Sequence, residues 1–350
     1  MKRDIIPLKA RELYENREYI QYPDFQREPT VWIPEKKQLL IDSMLIGLDI
    51  PKIYLYSPEN EEYCPPGMKD AKGQQIRYYD CVDGQQRIVS VIEFLDGKLR
   101  LDDGRFWKDL SRKEQENLLN YEFTIALIKE ASDKDLRLLF LRLQLGAPLV
   151  VGEKLKVLKG DMRNFVFDVG VNHPFFVKLT IQNRRYTRET VFAQICINSF
   201  HKTLKGTFYT ARYDELKAFF EHYSDLSKYK EITSRIVKTL DLMNQYFGGC
   251  IQEFGNRAII VSGYLFFEEL IKRGEAEKLP IFTKFYMEFL RKLKEQAGKG
   301  LDYDGEYRDL LNFQTYIIQA AVSKSAITAR HEMIREYFEY YLRTGKIKTT

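Results

Sequence analysis

The stretch YYDCVDGQQRIVSVIEFLDG, Tyr78 to Gly97, changes its hydrophobic period halfway along. Tyr78, Tyr79, Cys81 and Val82, with Ile76 just before them, are apolar or strand-favouring. Ile88, Val91, Ile92 and Leu95 then recur at helical spacing. A strand that runs straight into a helix needs a sheet to join and a sheet face for the helix to cover, which points to an α/β domain. Between the two periods lies Asp83-Gly84-Gln85-Gln86-Arg87. Asp83, with Gln86 three residues on, reads as a variant capping box, and Gly97 suits the left-handed residue that stops a helix. The polar cluster therefore falls at a helix start, where unpaired N–H groups and the positive dipole end favour an anion.

The flanking segments alternate in the same way. PEKKQLLIDSMLIG has Pro34 in a first helical turn and Gly47 at its end. IPKIYLY reads as a short apolar strand, and SPENEEYCPPGMKDAKGQ as a loop rich in Pro, Gly and charge. KLRLDD and FTIALIKE read as further strands, and SDKDLRLLFLRLQLG as an amphipathic helix capped by Ser132 or Asp133. After about residue 150 the strand signals fade. Long periodic segments replace them: DELKAFFEHYSDL, EITSRIVKTLDLMNQYF, AIIVSGYLFFEELIKRG, IFTKFYMEFLRKLKEQAG and AITARHEMIREYFEYYLRTG. The expectation is an α/β domain over residues 1–150 and an all-helical domain over residues 151–350, its Tyr and Phe residues forming core.

Several function classes are disfavoured. The longest apolar runs fall short of a membrane span, and MKRDIIPLKARELYENREY lacks the apolar core of a signal peptide. Cys64, Cys81, Cys196 and Cys250 show no C-x-x-C spacing, so a reduced, cytoplasmic setting is expected. His173, His201, His222 and His331 are too scattered for a zinc or histidine–metal nuclease motif. The net charge of +5 is uneven. Residues 1–150 hold 23 Lys+Arg against 26 Asp+Glu, and residues 151–350 hold 32 against 24. That excess, and the cluster Arg184, Arg185 and Arg188 around Tyr186, suit contact with a nucleic-acid backbone in the second half. The plainer reading is a solvated helical surface.

Three clusters bear on chemistry. In the first, Gly84 would let a ligand approach the backbone, and Gln85, Gln86 and Arg87 add side-chain donors. Arg87 offers a planar fork to phosphate, while Asp83 could cap the helix, hold Mg²⁺ or orient a water. In the second, PDFQREPTVW, Gln26 and Arg27 lie between Phe25 and Trp32 ahead of a helix. In the third, FLRLQLGAPLVVGEKL, Arg142 and Gln144 end a helix, followed by a Gly146-Ala147-Pro148 break and Glu153. Each also reads as ordinary structure: a capped helix start, an anchored loop and a helix junction.

In order along the chain, DFQREPTVW, LLIDSMLIGLDIPKIYLY, DGQQRIVSVIEFLDGKLRL and FLRLQLGAPLVVGEKL resemble the DGQQR family, that of the N-terminal domain of the GmrSD restriction enzymes, which act against modified phage DNA. The resemblance is clearest over residues 20–160, and looser at RRYTRETVFAQ and SAITARHEMIREYFEYY. It implies a ParB/sulfiredoxin-like α/β fold that binds a nucleoside triphosphate with Mg²⁺ and hydrolyses it, coupled to DNA sensing or cleavage. By the resemblance, Asp83, Gln85, Gln86 and Arg87 are catalytic, with Asp83 on the metal. Gln26, Arg27, Gly84, Arg87 and Arg142 hold the nucleotide, and Glu153 matches the third motif. Gln144 stands where the family usually has Asn, and the frequent HNH nuclease companion has no His-rich counterpart here.

The expected function is NTP hydrolysis in a restriction or phage-defence system, with endonuclease activity as a further expectation. Its competitor is a non-enzymatic, nucleotide-gated DNA-binding module that recruits a separate nuclease. The partners expected are an NTP, DNA with or without modifications, a nuclease subunit and a second copy of the chain, with no membrane; Arg184, Arg185 and Arg188 would meet the DNA.

Overall fold

The computed structural model describes residues 1–26, 32–57, 79–143, 149–296, 299 and 305–349. The chain divides into two compact units, Met1–Glu153 and Lys154–Thr350.

The first unit is built on a mixed five-stranded sheet. Its strands are β1 (Lys2–Lys9), β2 (Ile20–Gln21), β3 (Ile53–Tyr56), β4 (Tyr79–Asp83) and β5 (Glu122–Lys129), in the order β1-β5-β3-β4-β2. β5 runs antiparallel to β1 and parallel to β3, while β4 runs antiparallel to β3 and parallel to β2. The helices are α1 (Ala10–Glu15), α2 (Pro34–Leu45), α3 (Gln85–Leu95), α4 (Arg112–Leu119) and α5 (Asp133–Leu143). α1 to α4 pack on one another, and their apolar faces join Ile53, Leu55, Cys81, Phe123 and Ile125 of the sheet in one core. The alternate residues Val82, Ala126 and Ile128 are also fully buried, so the central strands are covered on both faces. α5 packs against β4.

Most of the expected elements form where the residue chemistry places them. Pro34 is the first residue of α2, and Gly47 follows it at φ +74°. Ser132 caps α5 reciprocally: Asp135 N–H donates to Ser132 Oγ at 3.2 Å, and Ser132 N–H to Asp135 Oδ2 at 3.1 Å. Two local readings fail. KLRLDD is not a strand; it is a tight loop in which Leu101 N–H donates to Arg105 O at 2.8 Å and Gly104 N–H to Leu101 O at 3.0 Å. Leu99 and Leu101 are buried, which accounts for the alternating pattern, but their backbone bonds are local. β1 carries no sequence signal, because it is an edge strand exposed along nearly its whole length. SPENEEYCPPGMKDAKGQ lies outside the described residues apart from Ser57.

The second unit is helical throughout its described residues. Its longer elements are α9 (Thr187–Lys205), α10 (Tyr213–His222), α11 (Lys230–Phe247), α12 (Arg257–Lys272), α13 (Leu279–Gln296), α14 (Asp309–Ile318) and α15 (Lys324–Thr344). α6 (Val151–Lys156), α7 (Asp161–Asn164) and α8 (Pro174–Val177) are short, and a π-helical turn spans Phe165–Gly170. α9 is buried almost all round from Thr187 to Phe200, and α12 packs on α9, α11, α13 and α15. The aromatic residues are core: Phe282 alone has ring neighbours in Phe247, Phe266, Tyr286 and Phe338. Among the described residues no helix is long and apolar enough to cross a membrane.

Gly170 shows how closely this core is packed. A Cβ there would sit 1.7 Å from the Phe192 ring. Gly170→Ala should therefore lower the unfolding free energy by about 1–3 kcal/mol. The check is a drop in urea midpoint at constant m-value; an unchanged midpoint would mean that the Phe192 ring has room to move.

Candidate nucleotide site at the start of α3

β4 ends at Asp83, and α3 begins at Gln85. The residue between them, Gly84, is the helix cap, in the left-handed region at φ +113°. An added Cβ would meet Ile53 Cγ1 and Cγ2 at 3.0 Å, so Gly84 is required by conformation and by packing together. This corrects one expectation: Asp83 does not cap the helix, and no described side chain does.

The Asp83 carboxylate is engaged elsewhere. Arg87 Nη2 donates to Asp83 Oδ2 at 2.5 Å and to Lys52 O at 2.9 Å. The Arg87 and Asp83 side chains are only 12% and 20% exposed, so the pair is partly desolvated. Opposite Asp83, β3 carries an irregularity between Tyr54 and Leu55. Such bulges often re-aim side chains beside functional sites.

The second cluster is brought to the same junction. Gln26 is buried, and its Nε2 donates to Cys81 O and Val82 O, both at 2.6 Å. β2 pairs with β4 only at Tyr79 and Asp80, so the Gln26 amide serves the carbonyls just beyond that pairing. Phe25 anchors the loop, its ring centroid 5.4 Å from that of Phe140 on α5. At the other end of the loop, Trp32 N–H donates to Gln86 Oε1 at 3.0 Å. Gln26 and Trp32 are thus tied to β4 and α3 respectively, a link that residue type alone does not reveal. Arg27 lies outside the described residues.

Two buried polar atoms in the first turn of α3 have no partner. Gln85 is 5% exposed, yet among the described residues its Oε1 accepts no hydrogen bond and Arg87 Nε donates none. Buried polar atoms are nearly always satisfied, so each such atom calls for a reason. Close by on β4, burial holds the Asp80 carboxyl above its usual range.

The third motif is less involved. Arg142 is exposed in the last turn of α5, and Gln144 lies outside the described residues. Glu153 is buried, and its Oε2 accepts from Val150 N–H at 3.0 Å, which serves the start of α6. Among the described residues there is no group of three His, Cys, Asp or Glu that could hold a metal ion.

In the second unit, Arg184 is exposed, but Tyr186 is 6% exposed and packs edge-on to Phe167 under Lys156 Nζ. Its ring is not available to stack on a base. Arg188 Nη2 donates to Leu179 O at 2.7 Å and its Nε to Ile181 O at 3.3 Å, so it braces the approach to α9. Arg185 and Tyr186 are both left-handed, at φ 56° and 61°.

An α/β unit that gathers buried polar groups at a strand-to-helix turn, followed by a helical unit, is the class of protein defined here. Residues 10–346 match the profile of the GmrSD restriction endonuclease N-terminal domain, and the chain belongs to that family. The match extends past the end of α15, so the helical unit is as much a part of the family domain as the sheet. No curated protein matches the chain.

Gln26→Glu would set a carboxylate against two carbonyl oxygens and remove both hydrogen bonds. It should destabilise the first unit by about 1–3 kcal/mol or more, the range for a buried group left unsatisfied. Chemical denaturation followed by Trp32 and Trp107 fluorescence checks this; a midpoint equal to the parent's would show that the amide is dispensable.

Proposed function

We propose that this chain binds and hydrolyses a nucleoside triphosphate at the start of α3, within a restriction system whose target is DNA. The observation that carries the reading is the pair of unsatisfied buried atoms, Gln85 Oε1 and Arg87 Nε, at a helix N-terminus that no side chain caps. First-turn N–H groups and a guanidinium suit phosphate. A glutamine carbonyl suits an attacking water, whose hydrogen it would accept. The family supports DNA as target through the restriction endonucleases it is named for.

In this reading Arg87 moves from Asp83 toward the phosphoryl oxygens, where charge builds as the bond to the leaving phosphate breaks. Asp83, relieved of Arg87, is the carboxylate that would take the magnesium carried by the nucleotide, which supplies further charge neutralisation at the phosphates. Gln85 orients water, and Gln86 holds Trp32 and the loop in place. Gln26 fixes the end of β4, and with it the direction of Gly84. Arg27, Gly84 and Arg142 complete the proposed nucleotide contacts.

A second reading has one observation in its favour. The Arg87–Asp83 ion pair neutralises both groups, which suits a nucleotide-gated switch that recruits a separate nuclease more than rapid turnover. Turnover separates the two. Arg87→Ala should reduce Mg²⁺-dependent NTP hydrolysis by roughly 100- to 1000-fold, the usual cost of one oxyanion-type donor, while circular dichroism reports a folded chain. Hydrolysis at the parent rate in folded Arg87→Ala would remove the catalytic role. Nucleotide binding with no hydrolysis in either protein would leave the switch.

DNA contact is proposed for the second unit, with Arg184 and Arg185 on phosphates. Arg188 is part of the same cluster, but its bonds to Leu179 and Ile181 carbonyls make Arg188→Ala a stability change first. Arg184→Ala with Arg185→Ala should flatten the salt dependence of DNA affinity by about one unit of slope per lost contact. Titrations at several salt concentrations read this; an unaltered slope would return the segment to a solvated surface.

A further inference from the structure

The helical unit contains a cavity of about 600 Å³ whose chemistry the proposed hydrolysis does not use. Thr187 and Gln194 of α9, Asn256 and Arg257 at the start of α12, and Arg330 of α15 supply its polar wall. Val261, Ile317 and Ile327 supply an apolar one, and no acidic residue among the described ones lines it.

Arg330 is 1% exposed. Its Nε donates to Ser262 Oγ at 2.8 Å and its Nη1 to Tyr316 O at 2.6 Å. Both acceptors are neutral, and no carboxylate among the described residues pairs with it. Burial lowers the guanidinium only to about 10, so it stays charged at neutral pH. A buried cation without a counter-charge is strongly unfavourable unless something else supplies the charge. Arg257 is exposed at the same cavity and donates to Thr187 Oγ1 at 3.3 Å, again without a carboxylate. Gln194 is 8% exposed, and its side-chain amide makes no hydrogen bond to a described residue. One buried arginine without a carboxylate, one exposed arginine, the Gln194 amide and the N-terminal ends of two long helices thus share one space.

We propose that this cavity is a second ligand site, for an organic phosphate of mononucleotide size. Two guanidinium charges balance the two charges of a phosphate monoester, and a planar fork matches its oxygens. The volume lies in the range of small-molecule sites and exceeds what inorganic phosphate would fill. The Gln194 amide can pair with the edge of a base, and Val261 and Ile317 can cover its faces.

The test is calorimetric titration of the full chain with dAMP, dCMP, dGMP and TMP, beside the matching nucleosides and inorganic phosphate. At least one monophosphate should bind, and its nucleoside and inorganic phosphate should bind at least tenfold more weakly. Arg257→Ala, at an exposed position, should weaken that binding tenfold or more without changing the ligand-free melting temperature. Arg87→Ala should leave the same affinity unaltered, which separates this cavity from the α3 site. The proposal is overturned if no monophosphate binds, if the nucleoside or inorganic phosphate binds as well, or if Arg257→Ala has no effect. It is equally overturned if the binding disappears in Arg87→Ala.

Discussion

Gly84 stands in the left-handed region with Ile53 packed where its side chain would be. That turn decides where the first N–H groups of α3 point, and so where any anion could be held. Almost every other feature of the junction defends it. The Gln26 amide holds the Cys81 and Val82 carbonyls of β4, and Gln86 holds the backbone N–H of Trp32. Arg87 ties the first turn of α3 back to Asp83 and to the carbonyl of Lys52. An exposed ion pair would contribute only about 0–1 kcal/mol. This one is largely shielded from water, and breaking it from one side would strand a charge, which costs more than the pair itself contributes.

The two units hold their polar groups differently. In the first, unsatisfied atoms are concentrated within three residues, on the rigid end of a strand and the start of a helix, where geometry is set most tightly. In the second, charge is distributed through a helical core. Glu268 is 2% exposed and receives Arg235 and Lys272, and Ser199 Oγ donates to it at 2.5 Å. Arg330 has no such partner. Within one core, the contrast between a buried acid met by cations and a buried base with no counter-charge among the described residues is what marks the cavity as a site rather than as ordinary packing.

Much of this was legible from residue pattern. The switch of period at Tyr78–Gly97, the change of character near residue 150 and the five long helices after it all appear in the structure. The errors have local causes. Asp83 looked like a cap because a capping box is a matter of spacing, but Gly84 takes the cap position itself and leaves Asp83 in the strand. KLRLDD alternates like a strand because Leu99 and Leu101 are buried, though they are buried by a loop closed on itself. α9 is hidden because burial all round removes the amphipathic stripe that announces a helix, and its first turn lies in the basic cluster around Tyr186. The convergence of Gln26 on β4 joins residues 55 positions apart, which only the family resemblance suggested beforehand. The Arg330 cavity depends on which charge lacks a partner, and no linear pattern encodes that.

The central claim is that a nucleotide sits on the first turn of α3. Hydrogen–deuterium exchange of the full chain, with and without a non-hydrolysable NTP analogue and Mg²⁺, tests it where it is made. The account predicts slowed exchange at the amides of Gln85 to Ile88 and of Trp32, at nucleotide concentrations that saturate binding. Saturated binding with unchanged exchange at Gln85–Ile88 would contradict it.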